Sequence, residues 1–563
     1  MIITIPCHRP VSSAGPVYDP VHGVIHHFYQ IHLAEGKGSG PDYGHFVSKD
    51  FVNWAELPVA LWNGLDASVW PPRVTKYDSG AIFTGSAVVV DGAGPGGVGK
   101  GVVNIYPGIC NKVDWPGCST GTLLALAIPA DYANDPLLTN WSKPGFNPII
   151  EGSQRDPSTP WKTPSGEWRL RTFNGEVYGT ANDADFLAGK WYSLGVNKDF
   201  RQGECPSFYP LPAATPGFEA QYERLAAQGE GGLPTHVHKT SVLGRDWWQL
   251  GTYSNFSVPK VLGSFDATRG WEDAFVQRAI DSPNRKFYAS KDNEYVVFHI
   301  LPARPPRRTP PVVVLLTGTS PPIHARNTHS LIATARVRRY PTKAGGVRRV
   351  NWGWAKVAPG STQTLPRAIT FNPIARLLQQ APIEELKELR GTPTVSAFHV
   401  PVGPASVDLK VDAHVASQSE TVVSFALPTT PTTFGVSLGP SASQLECTID
   451  FVPNANASAA YYDVGVACGK VTDTLRLRRF ADTLRLLATE KSVELRLYSD
   501  ATFVEAFFQQ GRVAMTVDAT FGADSTVSLV ATAPLVASEV HVYPMRQIWT
   551  TPEAIKAQPR VFH

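Results

Sequence analysis

The chain has 563 residues, of which 43% are hydrophobic and 18% charged, and its formal net charge is +3. This length allows two or three domains with large cores. No stretch is long and apolar enough to span a membrane as a helix. The aromatic, glycine and proline content, together with short alternating runs, predicts mostly β structure.

Short motifs follow one another along the first 150 residues. They are GVIHHFYQ at 23–30, YGHFVSKDFVNW at 43–54, DSGAIFTGSA at 78–87, IYPGI at 105–109 and NPI at 147–149. None of these motifs identifies a function by itself, so the interpretation depends on their order along the chain.

Two further motifs, about fifty residues apart, each supply a carboxyl group. QRDPSTPW at 154–161 contains Asp156 beside Arg155, and QGECPSFYP at 202–210 contains Glu204. Taken singly, the first is typical of a solvated turn and the second of a strand end. Taken together, they offer one acid and one charge stabiliser.

In this order the motifs resemble the invertase and fructan-hydrolase family of glycoside hydrolases, the β-fructofuranosidases of family thirty-two, and especially its plant-like members. The series continues with FYASK at 287–291, WGWA at 352–355, QTLPR at 363–367, PIEEL at 382–386 and FVEAF at 503–507. The resemblance implies an all-β chain in which a five-bladed β-propeller carries the site and a C-terminal β-sandwich follows.

We place the propeller at 14–373, a connector with a short helix at 374–392 and the sandwich at 393–548. Repeated four-stranded units suit a propeller, and the alternating runs after the connector suit a sandwich with one buried face per sheet. In the connector, apolar residues spaced by three after Pro382 predict the helix.

The resemblance also implies roles for the site residues. Glu204 is the expected general acid and then base, Asp156 the transition-state stabiliser that holds sugar hydroxyls, and Arg155 the cation that fixes Asp156 by a charge-assisted hydrogen bond. Further residues lie in segments that form the substrate pocket in relatives: Gln30, Tyr43, Phe83 and Ser86. The expected reaction is retaining hydrolysis of sucrose or fructans, with transfer of the fructosyl unit as an alternative.

The family's nucleophilic aspartate has no counterpart in this chain. Aligning Gly15 and Pro16 to the end of the family's Asn-Asp-Pro-Asn-Gly-Pro run places Ser12 in the nucleophile column. A serine hydroxyl without a partner base is a poor nucleophile, and it cannot stabilise a cationic transition state as a carboxylate does. The nearest acid, Asp19, lies seven positions later in a turn-like segment and is a poor substitute.

Three hypotheses follow from the missing aspartate. Residues 1–13 can be a wrongly predicted first exon of an ordinary enzyme. Alternatively, the chain is a catalytically inactive relative that still binds fructosides, or a structural or interaction protein that does neither.

Residues 296–340 interrupt the series of motifs. The segment holds seven arginines and seven prolines but no acidic residue, and removing it changes the formal charge from +3 to −4. Our hypothesis is a translated intron, with a disordered surface loop and an arm for nucleic acid or another acidic polymer as the alternatives. The small positive net charge of the whole chain is therefore no evidence for nucleic-acid binding.

Cysteine usage and the resemblance point outside the cytosol. The resemblance implies a disulfide between Cys447 and Cys468, Cys110 and Cys118 can close a short loop, and Cys205 is expected to be a packed free thiol. The candidate glycosylation sites are Asn140, Asn255 and Asn456.

We expect an extracellular, cell-wall or vacuolar protein, although Met1 to Gly15 do not form a signal peptide. The expected partners are sucrose, fructo-oligosaccharides or fructans, with neither nucleic acid nor a membrane. The fifteen histidines show no metal-ligand spacing and no cofactor motif occurs, so we expect no metal ion and no cofactor.

Overall fold

A computed structural model gives the architecture of most of the chain. It describes residues 13–561, except 34–39, 114, 119–120, 153, 197–201, 229–232, 254–264, 267–276, 282–284, 297–346, 359, 454–459 and 471–480. Ser12, the candidate glycosylation sites Asn255 and Asn456, and nearly all of the basic segment therefore lie outside the described residues. Asn140 lies within them and is exposed.

Five antiparallel sheets, here called blades 1 to 5, make up the N-terminal part and form the predicted five-bladed propeller. The strands of blades 1 and 2 are Ser13–Asp19, Val24–Ile31, Asp42–Ser48 and Trp54–Leu61, then Ala81–Ile82, Ser86–Asp91, Lys100–Ile109, Thr122–Pro129 and Trp141–Ser142. Those of blades 3 and 4 are Trp161–Lys162, Trp168–Arg171, Glu176–Thr180 and Tyr192–Val196, then Glu204–Pro210, His236–Val242, Arg245–Tyr253, Phe265–Asp266 and Gln277–Ala279. Those of blade 5 are Phe287–Val296, Val347–Ala355, Thr362–Gln363, Arg367–Asn372 and Leu377–Pro382, and a small ribbon after blade 1 pairs Leu65–Asp66 with Arg73–Val74.

The blades close into a ring because each packs on the next and the fifth packs on the first. Apolar clusters fill the spaces between blades 1 and 2, 2 and 3, 4 and 5, and 5 and 1. Between blades 3 and 4, the rings of Trp161 and Phe208 lie 4.8 Å apart. At the closure, the Asn293 side chain donates hydrogen bonds to the carbonyls of Pro16 and Ala87, which joins the inner strands of blades 5, 1 and 2.

Blade 5 keeps its register across the basic segment. Val296 pairs with Val347, and the antiparallel ladder continues from there toward Tyr288 and Trp354. The described residues on either side of this gap are therefore paired, at the end of the inner strand opposite to Tyr288. The hypothesis that residues 296–340 are foreign stays a prediction.

The predicted connector at 374–392 is wrong in its first part. Leu377–Pro382 is a strand that pairs with Arg367–Asn372, so it belongs to blade 5, and Pro382 ends that strand instead of starting a helix. The short helix is present at Glu384–Leu389 as a 3-10 helix. Apolar residues spaced by three fit this helix, because it has three residues per turn.

The predicted C-terminal β-sandwich follows as two six-stranded sheets that enclose a single apolar core. In spatial order the first consists of Val395–Val402, Leu535–Pro544, Gln418–Ala426, Ser492–Asp500, Phe503–Phe508 and Val513–Asp518. The second consists of Val407–Asp408, Thr526–Ala531, Thr432–Gly439, Leu445–Phe451, Tyr461–Lys470 and Ala481–Leu487. Both disulfides form, Cys447 with Cys468 in the sandwich and Cys110 with Cys118 in blade 2.

The described helices are short and lie outside the sheets. The α-helices are Asp183–Leu187, Glu219–Ala226, Ala413–Ser417 and Pro552–Ala557, and the other 3-10 helices are Lys76–Asp78, Pro95–Gly97 and Ser441–Ser443. The last α-helix returns from the sandwich to blade 1, where Ile555 is fully buried among residues that include Val24 and Leu57. The sandwich and the propeller are thus held together by the chain end as well as by their shared interface.

The interface requires a glycine at position 511. Gly511 has φ +79°, and a Cβ there would lie 2.2 Å from the carbonyl oxygen of Gln380 in blade 5. The Gly511 carbonyl also accepts a hydrogen bond from the Gln380 N–H at 2.8 Å. Only glycine permits both the left-handed backbone and this close approach.

Blade 1 contains a buried histidine that links the fold's stability to pH. His27 is 2% exposed and packs on Trp54 and Trp352. Its burial lowers the imidazole pKa to about 3, although a hydrogen bond with Gln363 acts in the opposite direction. Because the unfolded chain takes up this proton near pH 6.5, the contribution to stability is present above pH 6.5. It is lost progressively as the pH falls toward 3.

We expect His27→Phe to reduce the acid sensitivity of folding. Between pH 7 and pH 4.5, the free energy of unfolding of the unchanged protein should fall by about 2–3 kcal/mol more than that of the variant. Urea unfolding of both proteins at the two pH values measures this difference. Equal losses in the two proteins would contradict the assignment.

Candidate active site

Three of the predicted site residues, Arg155, Asp156 and Glu204, meet at one end of the propeller axis, where the inner strands begin. Asp156 and its neighbours precede blade 3, and Glu204 and Tyr288 stand at the starts of the inner strands of blades 4 and 5. Three non-glycine residues here, Asp156, Cys205 and Ala289, have positive φ angles of 54°, 46° and 49°. Such backbone costs of order 1–3 kcal/mol per residue and concentrates at functional sites.

Glu204 is the accessible acid of the group, with 38% of its side chain exposed. Arg155 Nη1 lies 3.0 Å from Oε1, and the Tyr288 hydroxyl donates to Oε2 at 2.5 Å. Burial and this hydrogen bond both raise the pKa of Tyr288 above its usual range, so its phenol stays protonated. The Glu204 carboxyl is thus held from both sides while it remains open to a ligand.

Asp156 is the buried acid, with 4% of its side chain exposed. Its Oδ2 accepts from Arg155 Nη1 at 3.2 Å and from the Cys205 N–H at 3.2 Å. Burial raises the pKa of Asp156, while the positive charges of Arg155 and Lys291 act in the opposite direction. One guanidinium therefore contacts both carboxyl groups and ties their positions together.

A buried lysine supports the backbone beside Asp156. Lys291 Nζ donates to the Pro157 carbonyl at 2.8 Å and to Ser86 Oγ at 3.2 Å, and Ser86 Oγ donates to the same carbonyl at 2.7 Å. Burial lowers the pKa of Lys291 to about 8. The structure thus places Ser86 against the carbonyl of Pro157, the residue after Asp156.

Blades 1 and 2 contribute the other predicted pocket residues. Gln30 Nε2 donates to Thr84 Oγ1 at 3.0 Å, and the Tyr43 hydroxyl donates to the Phe83 carbonyl at 2.5 Å. Tyr43 is fully buried, and Phe83 is partly exposed. Their roles toward substrate stay predictions.

Asp19, the acid nearest in sequence to Ser12, lies at the far end of the inner strand of blade 1. The inner strand of blade 1 begins at Ser13, beside Tyr29 in the ladder, and Asp19 lies at its other end, about 20 Å away at the usual strand rise. The Asp19 carboxylate is hydrogen-bonded there to the Tyr132 hydroxyl at 2.7 Å and to His22 Nδ1 at 2.6 Å.

Sequence reasoning missed two residues next to Glu204. Tyr288 belongs to the FYASK motif, and Lys356 follows WGWA; the Lys356 ammonium lies 4.0 Å from the centroid of the Tyr288 ring. A tyrosine and a lysine in motifs already linked to the site are the signals that could have identified them. Cys205, expected to be a packed free thiol, is buried and free, and burial raises its pKa to about 12.

Within the described residues, no cluster of histidine, cysteine and carboxylate side chains could hold a metal ion. In the same part of the chain, no helix has the length and apolar character needed to cross a membrane.

Comparison with known proteins agrees with this geometry. Two family profiles match the chain, the "Glycosyl hydrolases family 32 N-terminal domain" over residues 13–293 and the "Glycosyl hydrolases family 32 C terminal" over residues 385–543. The chain belongs to glycosyl hydrolase family 32. The family 32 profiles divide it as the structure does, one on the propeller and one on the sandwich.

Several plant members of family 32 are similar in sequence. A β-fructofuranosidase, insoluble isoenzyme 7, of Oryza sativa subsp. japonica is 27% identical over 433 residues, which cover 74% of this chain and 60% of that protein. A vacuolar acid β-fructofuranosidase 4 of Arabidopsis thaliana is 27% identical over 439 residues, covering 73% of this chain and 53% of that one. A fructan 6-exohydrolase of Triticum aestivum is 25% identical, covering 74% and 61%. The matches thus span little more than half of these relatives' length.

Solved structures of family 32 share the fold over almost the whole chain. Fructan 1-exohydrolase IIa from Cichorium intybus superposes with a TM-score of 0.68 at 20% identity, covering 97% of this chain and 98% of that one. A variant of that enzyme was solved in complex with 1-kestose and superposes with a TM-score of 0.65. An exo-inulinase from Aspergillus awamori gives 0.63 at 18% identity, with 97% and 98% coverage.

Proposed function

We propose that the pocket at the propeller axis binds the β-fructofuranosyl unit of sucrose or a fructan, and that Glu204 serves its retaining hydrolysis as general acid and then base. The observation that carries the proposal is the arrangement of two carboxyl groups, one partly exposed and one buried, around a shared Arg155. Family 32 membership supports the reaction class, and the names of relatives include both β-fructofuranosidases and fructan exohydrolases.

The contacts of Glu204 suit a group that gives and takes a proton. Cleavage develops positive charge at the anomeric carbon, and the leaving oxygen needs a proton. Arg155 stabilises the ionised carboxylate, whereas a tyrosine hydroxyl can donate to a carboxylate or accept from a carboxylic acid. Tyr288 can therefore hold Glu204 in either protonation state.

The contacts of Asp156 suit binding better than attack on carbon. Arg155 and the Cys205 N–H both engage Oδ2, so we assign Oδ1 to hydrogen bonds with sugar hydroxyls. A buried carboxylate that accepts from hydroxyls strengthens these bonds as positive charge develops on the sugar. Asp156 then stabilises the transition state without forming a covalent bond.

Turnover at enzymatic rates needs a carboxylate at the position of Ser12. We expect the chain with serine there to bind fructosides with little hydrolysis. Ser12→Asp should raise kcat for sucrose by about 10²-fold or more, because it supplies both the nucleophile and a negative charge that a cationic transition state needs. Release of glucose and fructose measures turnover, and calorimetric titration with sucrose measures binding.

Ser12→Asn is the matched control, because it has nearly the shape of aspartate without its charge. If Ser12→Asp is no faster than Ser12→Asn while both bind sucrose, the inactive fructoside-binding relative becomes the better account. If no variant binds sucrose or 1-kestose, the proposed function is wrong and a structural role remains. Parallel assays with an added acceptor sugar separate hydrolysis from fructosyl transfer.

We also propose that the protein works in an oxidising compartment, outside the cell or in the vacuole. The two disulfides support this location, since such bonds persist in secreted proteins and are rare in the cytosol. The relatives' names include a vacuolar form.

A further inference from the structure

Two β-bulges aim the side chains of Glu204 and Tyr288 at each other. The register of blade 4 shifts between Glu204 and Ser207, and that of blade 5 shifts between Tyr288 and Lys291. A bulge re-aims side chains, but it also removes backbone groups from the ladder, and buried backbone groups need other partners. The left-handed residues Cys205 and Ala289 lie inside these two bulges.

One buried ion pair supplies those partners on both sides. Lys239 Nζ donates to the carbonyl of Cys205 at 2.6 Å and to the carbonyl of Ser290. Asp246 accepts from the N–H of Ala289 at 3.0 Å and from the N–H of Ser290 at 2.8 Å. The two charged side chains are 1% and 0% exposed, with Nζ and Oδ2 3.6 Å apart.

We propose that Lys239 and Asp246 are positioning residues that lock the two bulges together and so set the 2.5 Å contact between Tyr288 and Glu204. The pair stands on neighbouring strands of blade 4 and reaches across to blade 5. The pair makes four hydrogen bonds to backbone groups of the two bulges. It therefore does more than stabilise the sheet in which it lies. The kinetic part of this inference rests on the proposed function of Glu204, whereas its structural part does not.

Hydrogen exchange of the full chain, followed by mass spectrometry, tests the structural part. Asp246→Asn places an amide N–H₂ against backbone N–H groups, and Lys239→Met removes the donor to both carbonyls. Both variants should speed exchange at least about tenfold in peptides covering residues 203–209 and 287–291.

Lys143→Met is the matched control, because Lys143 is also 1% exposed and ion-paired, with Asp78, in another blade. Its effect should be confined to residues near 62–80. Unchanged exchange at 287–291 in Asp246→Asn and Lys239→Met, or an equal change there in Lys143→Met, would overturn the proposal.

Kinetics in the Ser12→Asp protein then separate positioning from general destabilisation. Lys239→Met and Asp246→Asn should lower kcat by about 10²-fold with KM changed less than about threefold, since misplacing an acid by about 1 Å has an effect of this size. The pH profile of kcat should change shape in these variants but not in Lys143→Met. If Ser12→Asp has no turnover, the proposed hydrolysis fails, and the exchange experiment still decides whether the pair locks the bulges.

Discussion

Glu204→Gln, made in the Ser12→Asp protein, is expected to lower kcat for sucrose by about 10³-fold while sucrose binding is retained. Glutamine keeps the size of the side chain and can still contact Arg155 and Tyr288. It has no proton to give to the leaving oxygen, and it cannot activate water afterwards. Initial rates of glucose release and calorimetric titration measure the two effects.

The leaving group provides an internal check on this assignment. An aryl β-fructofuranoside, whose leaving phenolate needs little protonation, should show a much smaller loss in the first bond-breaking step. Glu219→Gln, on an exposed helix of blade 4, is the control for a generic glutamate change and should be as active as its parent. An equal loss with sucrose and the aryl substrate would argue that Glu204 is not the acid.

Arg367→Met is expected to cause the largest loss of stability among single changes at the domain interface. Arg367 is fully buried in blade 5, and its Nη2 lies 2.7 Å from Glu505 of the sandwich and 2.9 Å from Asp281 beside blade 4. Burial raises the pKa of both carboxyl groups, against the opposing charge of Arg367. Removing the arginine leaves two buried acids without their cation, at a cost of about 3–5 kcal/mol in the free energy of unfolding.

Guanidinium unfolding at pH 7, monitored by tryptophan fluorescence, measures this cost. Lys410→Met is the matched control, because Lys410 pairs with Asp408 on the surface, where its side chain is 83% exposed. That change should alter the free energy of unfolding by less than about 0.5 kcal/mol. A loss below about 1 kcal/mol in Arg367→Met would show that the buried network contributes little.

The ordered motifs predicted the fold class and the meeting of Glu204, Asp156 and Arg155, because the motifs that hold these residues mark the start of the inner strand of blade 4 and the segment before blade 3. The same motifs did not identify Lys239 and Asp246 as their support. Those two residues matter only because two bulges bring unpaired backbone groups to them, and bulges depend on pairing between strands far apart in sequence.

The domain edges were harder to predict than the domains, for a similar reason. Leu377–Pro382 was assigned to the connector, and its role as a strand depends on its partner Arg367–Asn372. The packing of the helix after the sandwich on blade 1, through Ile555, is a further contact that the sequence does not indicate. Both features are tertiary contacts that local spacing does not encode.

The most direct test of the central claim is calorimetric titration of the chain as it stands, with Ser12 in place, with sucrose and with 1-kestose. Asp156→Asn serves as the comparison, because it removes the buried charge with little change of shape. We predict saturable one-to-one binding of at least one of these sugars, weakened at least about tenfold in Asp156→Asn. Absence of binding, or equal binding by the two proteins, would contradict a fructoside pocket built on Asp156 and Glu204.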